Sequence, residues 1–480
     1  MYKKGFSTVE LMVAFAILTL VFGGVILADF SANYWAITSQ TSNEALYKAK
    51  TRLEVLRAGA KQDFQSVVSS PSTKDNDSDC AAGGLCYFVE SIVTNLSPCS
   101  KYAQAKVTWQ VDSYPQSDTS LFTNLTNPTE AIELGGDCPL APPSGAWRTM
   151  TQLSSSDFGA GNPTGIDTLG GITYMATDQA PYLEIAQASG FTAFANGFAA
   201  MDPYNDIDVA RDAATGRTYG YAAIASTSVQ LEVLDLTDPN NPTSVSKLAL
   251  NSVDPLGSYP QGWRVFYYDR KVYITTRETT GPEFHVIDVS NPANPTELGS
   301  KELNTSAYGI VVRDIRMNGS VHRFVFLATT DDSKEIMVLD ATNPAAITEV
   351  AGAATDLPGA YDSRSIFLSG TTLYIGRVQN TGPELYALDA SNLLSASGGL
   401  PTLGTAEAGG DVLALRVSEP FVFAGTSRSG KELQVFATNA GVLSALGSYS
   451  ASGLAGLDLE GNSIFAAGAS SPKLRVIQSQ

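Results

Sequence analysis

The sequence predicts a multidomain chain, α+β at its N-terminal end and all-β beyond. A long N-terminal helix with a small disulfide-bonded sheet is expected first, then a seven-bladed β-propeller. Three observations carry this expectation. An apolar run from Phe6 to Ala28 passes without a break into a strongly helix-forming stretch. All four cysteines fall between that helix and residue 140. A short motif recurs seven times, at intervals of about 50 residues, over the rest of the chain.

Composition agrees with a multidomain protein. At 480 residues the chain is long enough for about two or three domains. Charged residues make up only 16%, while Gly (42) and Pro (23) are plentiful, which suits turn-rich β structure. A net charge of −18 disfavours binding to nucleic acid phosphates, and no basic cluster lies beyond the first residues.

From Phe6 to Ala28 the only ionisable side chain is Glu10, and the run is long enough to cross a bilayer as a helix. A lone carboxylate at that depth costs about 2.5–3.5 kcal/mol on insertion scales and therefore needs a partner. Helical patterning continues through Tyr34, Trp35, Ile37, Leu46, Leu53 and Leu56, with Arg52, Arg57 and Lys61 towards the end. One helix over 6–65 is expected, its first part (6–28) membrane-spanning.

The start of the chain, Lys3-Lys4-Gly5 followed by Phe6-Ser7-Thr8-Val9-Glu10, resembles the type IV prepilin signal. That resemblance implies a leader over 1–5, cleavage by a prepilin peptidase after Gly5 and N-methylation of Phe6. It also implies assembly with other pilin subunits, from the inner membrane into a surface filament. Glu10, fifth in the processed chain, would neutralise a neighbouring subunit's Phe6 ammonium. A secretory signal peptide fits less well, because no Ala-x-Ala-like site follows the apolar run.

Two β-rich runs, 87–94 and 105–111, follow the helix and are separated by Ser97-Pro98-Cys99-Ser100. With Cys80, Cys86, Cys99 and Cys138 they define a small domain over 66–145, ending in the linker Ala141-Pro142-Pro143-Ser144-Gly145. Four cysteines in one extracytoplasmic segment suggest two disulfides. Cys80–Cys86 with Cys99–Cys138 is favoured by local order among three possible pairings. No CxxC spacing and no histidine in the segment point to zinc. Asp75-Asn76-Asp77-Ser78-Asp79 resembles half of a calcium loop but lacks the Gly and distal Glu that would complete it, so no cofactor is expected.

The clearest repeats are Val233-Leu234-Asp235-Leu236-Thr237-Asp238-Pro239, Val286-Ile287-Asp288-Val289-Ser290-Asn291-Pro292 and Val338-Leu339-Asp340-Ala341-Thr342-Asn343-Pro344. Their Asp column continues through weaker copies, at positions 187, 235, 288, 340, 389, 437 and 478. Each copy is preceded by one or two further strand-like runs and followed by another. Four strands repeated seven times predict a propeller over 146–480. These copies resemble propeller repeats of the Val-Ile-Asp-x-Ser-x-Pro kind, found in many exported proteins. The Asp and Ser/Thr are expected to bond local backbone and fix the turn. The seventh copy ends at Gln480, so a strand over 147–153 is expected to supply its missing outer strand and close the ring.

Catalytic signatures are absent from the sequence. Its two histidines, His285 and His322, sit in or beside repeat strands and read as scaffold. No HExxH, phosphate-binding Gly loop or propeller cysteine occurs, so no enzyme is expected. The loops from each blade's outer strand to the next inner strand carry Trp263, Arg264, Tyr308, Tyr361, Asp362, Arg364 and Asp411. This mixture suits recognition of a surface glycan or a protein. A minor or tip pilin presenting an adhesive propeller is therefore expected. The alternatives are a propeller-decorated major pilin, a type II secretion pseudopilin and a pilin-anchored surface enzyme.

Overall fold

The computed structural model describes residues 8–64, 66–75, 85–110, 116–136, 143–157, 159, 161–187, 202–226, 228–250 and 261–480. Gly5, Phe6, Cys80 and Cys138 lie outside them, as does the side chain of Glu10. Contacts divide the chain into two units. The first comprises 1–59, 67–93 and 103–123; the second comprises 60–66, 94–102 and 124–480.

The first unit is built on helix α1 (Thr8–Gln62) and the sheet β1 (Ser70–Lys74), β2 (Cys86–Ser97), β3 (Ser100–Gln110) and β4 (Ser117–Thr126), in that order. Along the N-terminal half of α1 the described large apolar side chains, such as Met12, Phe15, Leu20 and Leu27, are exposed. Among the described residues α1 is the one helix long and apolar enough to cross a membrane. Its second half behaves differently. Ala45, Ala49, Leu53 and Leu56 recur at helical spacing and are buried. Small residues there bring the helix close to the sheet, where Tyr87 and Trp109 are buried. Polar ties flank that seam. The Tyr87 hydroxyl donates to Thr41 O (3.2 Å), Arg52 Nη2 reaches Ser70 Oγ (2.6 Å), and Lys48 pairs with Asp75. Cys86 and Cys99 are both disulfide-bonded. The pairing expected for Cys80 and Cys138 falls outside the described residues.

The second unit is a ring of antiparallel sheets whose innermost strands adjoin one another in order, the last meeting the first. These inner strands are 163–169, 204–211, 262–268, 307–317, 363–369, 412–418 and 454–460, one for each of blades 1 to 7. Blades 2 to 7 have four described strands; blade 1 has three, its expected fourth falling in 188–201, outside the described residues. Third strands such as Phe284–Asp288 and Ile336–Asp340 are buried on both faces for four residues running. Neighbouring blades cover both sides, so the usual in–out alternation gives way to a continuous apolar run.

The repeated Asp does what the turn requires. Oδ1 of Asp235, Asp288, Asp340 and Asp389 accepts the backbone N–H two residues on, at 2.8–3.0 Å. Outer strands pack closely on the next blade: a Cβ on Gly299 would collide with the Pro344 carbonyl oxygen.

Ring closure comes from the N-terminal side, three residues later than expected. Strand β5 (Met150–Ser156) pairs antiparallel with 474–479 and becomes the outer strand of blade 7. Trp147, expected within that strand, instead has positive φ (53°) and is fully buried. Its ring lies edge-on to Phe423, centroids 4.8 Å apart, and its backbone N–H donates to Ser479 Oγ (3.0 Å). An indole at this seam fills the space between blades 6 and 7, which a surface strand residue could not do.

Candidate functional site

Two of the segments of the second unit that precede the propeller in sequence bond to its ring. Residues 94–102 are the end of the β2–β3 hairpin, and helix α2 (Pro128–Glu133) lies on the same side of the ring. Both bond to turns between first and second strands. Asn95 N and Nδ2 donate to the Glu419 carboxylate (3.2 and 3.3 Å), Glu419 N donates back to Asn95 O (3.0 Å), and Ser418 Oγ donates to Leu96 O (2.6 Å). Asp269 N donates to Glu133 O (2.7 Å) and Arg211 N to Gly135 O (2.6 Å).

Buried charge accompanies this docking. Glu130 is 4% exposed, and burial pushes its carboxyl up to about 7 despite the nearby Arg313 guanidinium. Glu133 is raised too, mainly by burial. Both carboxylates approach one hydroxyl, Tyr268 OH, at 3.1 and 2.9 Å. That hydroxyl has a single proton to donate. In the hairpin, Lys101 is buried and lowered to about 8 by desolvation, against the pull of Glu419 and Asp63.

A cavity of about 210 Å³ occupies the propeller axis, lined by residues of all seven inner strands and by Ser97, Pro98 and Leu134 at the docked end. Each inner strand is the edge of its sheet, so half its backbone groups face the axis without a strand partner. Side chains of adjacent blades take several of them. Asp458 Oδ2 accepts Thr168 N (2.8 Å), Asp167 Oδ2 accepts Val209 N (2.5 Å), Asp206 Oδ2 accepts Val265 N (3.2 Å), and Asp208 Oδ2 accepts Tyr267 N (2.7 Å). Burial pushes the Asp206 carboxyl up, opposed chiefly by Arg264. Arg264 serves the opposite need: Nε donates to Tyr308 O (2.9 Å), and Nη1 reaches Thr164 O (3.3 Å) and Asn205 O (3.4 Å). The axial aspartates and this arginine are therefore seam closures between blades.

Of the seven residues expected on the ligand face, Arg264, Tyr308 and Arg364 line the cavity; Trp263, Tyr361, Asp362 and Asp411 do not. Arg364 is held from two sides. Nη2 contacts Asp362 Oδ2 (3.0 Å), and its guanidinium lies 4.1 Å from the Tyr308 ring centroid. Trp263 stands edge-on to Tyr308 (5.6 Å), with the Arg277 guanidinium 4.0 Å from its own ring. Tyr361 lies beside Arg377 (5.6 Å). Asp411 is a blade connector, its Oδ1 accepting Gln379 N at 2.7 Å.

Glu283 and Glu384 belong to a buried latch. Glu283 Oε2 accepts Leu303 N (2.8 Å) and Asn304 N (3.2 Å); Glu384 Oε2 accepts Ala408 N (2.9 Å) and Gly409 N (3.0 Å). Glu335, Glu432 and Gln230 do the same for Leu357 N, Ala451 N and Leu250 N. The signal was present in the sequence as Glu or Gln five residues before the Asp column. His285 is likewise scaffold, Nδ1 facing Glu297 Oε1 and Nε2 facing Pro282 O, both at 2.8 Å.

Residues 280–302, in blade 3, match the family model described as LVIVD repeat. No curated protein matches the chain. Solved structures similar to it are distant. The Cps50 (Swd1) β-propeller domain of Myceliophteria thermophila is 12% identical, covering 69% of this chain and all of its own, with a TM-score of 0.46. BamB from Moraxella catarrhalis is 11% identical over 86% of this chain and 97% of its own, with a TM-score of 0.40. YCF48 from Cyanidioschyzon merolae is 12% identical over 69% and 98%, with a TM-score of 0.44. The propeller assignment rests on the ring of sheets and on the repeat.

Proposed function

We propose that this chain is a type IV pilin-like subunit, minor or at the filament tip, that presents its propeller at the cell surface for adhesion or ligand binding. The carrying observation is the division of labour along α1. Its apolar run, where Glu10 is the sole carboxylate from Phe6 to Ala28, needs lipid or other subunits around it, whereas its second half packs under a sheet. Prepilin peptidase, the inner membrane and other pilin subunits are the implied partners, followed by a surface glycan or protein. The absence of catalytic motifs from the sequence supports binding over catalysis. Intact-mass analysis of the chain co-expressed with a prepilin peptidase tests the reading. The expected product starts at N-methylated Phe6, and Gly5→Glu should leave the precursor uncut. A chain left whole, or cut after the apolar run, would overturn it.

A further inference from the structure

The axial cavity is chemically two-sided. Its acids, Asp167, Asp206, Asp208 and Asp458, come from blades 1, 2 and 7; its arginines, Arg264, Arg313, Arg364 and Arg416, come from blades 3 to 6. The acidic side is self-satisfied: those carboxylates accept axis-facing N–H groups of blades 1 to 3, and Asp458 and Asp206 also pair with Arg416 (2.8 Å) and Arg264 (3.9 Å), while Arg313 lies against Glu130 (3.7 Å). Register pairing is the same in every blade, so Val312, Leu368, Val417 and Leu459 are the equivalents of Tyr267. Where Asp208 stands opposite Tyr267, the blades before these four carry Phe266, Val311, Phe367 and Arg416. None of these can accept a hydrogen bond from an N–H.

We infer that the blade 4–7 side of this cavity binds the carboxylate of a small ligand, which takes the place that the chain's own aspartates take on the other side. Arg364 is the principal cation. Asp362 and the Tyr308 ring hold it, and among the described residues its Nε and Nη1 meet no hydrogen-bond partner. Arg–carboxylate hydrogen bonds are charge-assisted and roughly twice as strong as neutral ones. Size selects a small group: the volume of about 210 Å³ falls below the range of about 300–1,000 Å³ usual for drug-sized ligands. A uronic acid residue, free or terminal on a glycan, carries the required chemistry on one ring. The ligand reaches the cavity from the end opposite Ser97, Pro98 and Leu134. This inference rests on the ligand-binding half of the function proposed above and is independent of N-terminal processing.

The test is calorimetric titration of the full chain in detergent with glucuronate, propionate and glucose, repeated with a glucuronate-terminated oligosaccharide. Glucuronate is expected to bind and glucose not. Equal binding of the monosaccharide and the oligosaccharide places recognition in the terminal residue, and propionate binding shows that the carboxylate alone suffices. Arg364→Gln should weaken glucuronate about ten-fold or more. Ala414→Asp places a carboxylate at the blade 6 equivalent of Asp206, and should abolish binding while leaving thermal unfolding unchanged or higher. Glucose binding as tightly as glucuronate, neither acid binding, or Ala414→Asp binding normally would each overturn the inference. Any of these would leave cleavage after Gly5 untouched, so the two readings fail separately.

Discussion

Undocking of α2 should depend on pH, and the structure sets the size of the effect. Glu130 sits buried among Glu133, Tyr268, Arg313 and Asp314, with Asp269 and Arg323 close to Glu133. Its carboxyl is raised from the ordinary 4.5 to about 7. A raised acid means that the docked state holds the proton more tightly than the undocked one. Docking is therefore strongest below about pH 4.5, weakens as pH rises, and levels off above about 7. Between pH 5 and 8 the loss is about 2.5 kcal/mol, or about 70-fold in the opening constant. Hydrogen exchange reads this directly, since Asp269 N–H and Arg211 N–H are capped by Glu133 O and Gly135 O. After correction for intrinsic rates, protection of peptides spanning these amides should fall across that range. Glu130→Gln should remove most of the fall, leaving the smaller contribution of Glu133. Protection that is flat or rises with pH, or an unchanged slope in the Gln variant, would refute the reasoning.

Two further perturbations concern the ring. Trp147→Ala empties the seam between blades 6 and 7 and should cost about 3–5 kcal/mol in denaturant unfolding, with protection lost first at 474–479. Glu384→Ala orphans the Ala408 and Gly409 amides and should cost about 1–3 kcal/mol, whereas Glu384→Gln keeps an acceptor oxygen and should recover much of that in the same urea titration.

Much of the propeller was legible because its determinants are local. The apolar third strand and the Asp-x-Ser/Thr turn lie within seven residues of one another, and repetition multiplies the signal. Closure by the N-terminal strand followed from counting strands, but its register did not, since Trp147 is placed by packing against Phe423. The glutamate latch was readable yet missed, because Glu beside a strand ordinarily means solvent. Its burial depends on amides about 20 residues downstream. Docking of Asn95 on Glu419 joins residues 324 apart, and no local pattern encodes that. Loop position alone grouped Arg364 with Asp411, although one faces the axis and the other clasps a neighbouring blade.

The antiparallel pairing of β5 with 474–479 also governs the order in which the protein can be made. Strand β5 is among the first propeller segments to leave a ribosome or a translocation pore, and its partner is the last. Until some 320 residues more have followed, it remains an open edge able to pair with foreign strands. Six blades can form by local hairpins in that interval, but the ring itself waits on the longest-range contact in the domain, the slow class of folding step. Premature termination anywhere in blade 7 would therefore leave two exposed edges, not a slightly shorter propeller.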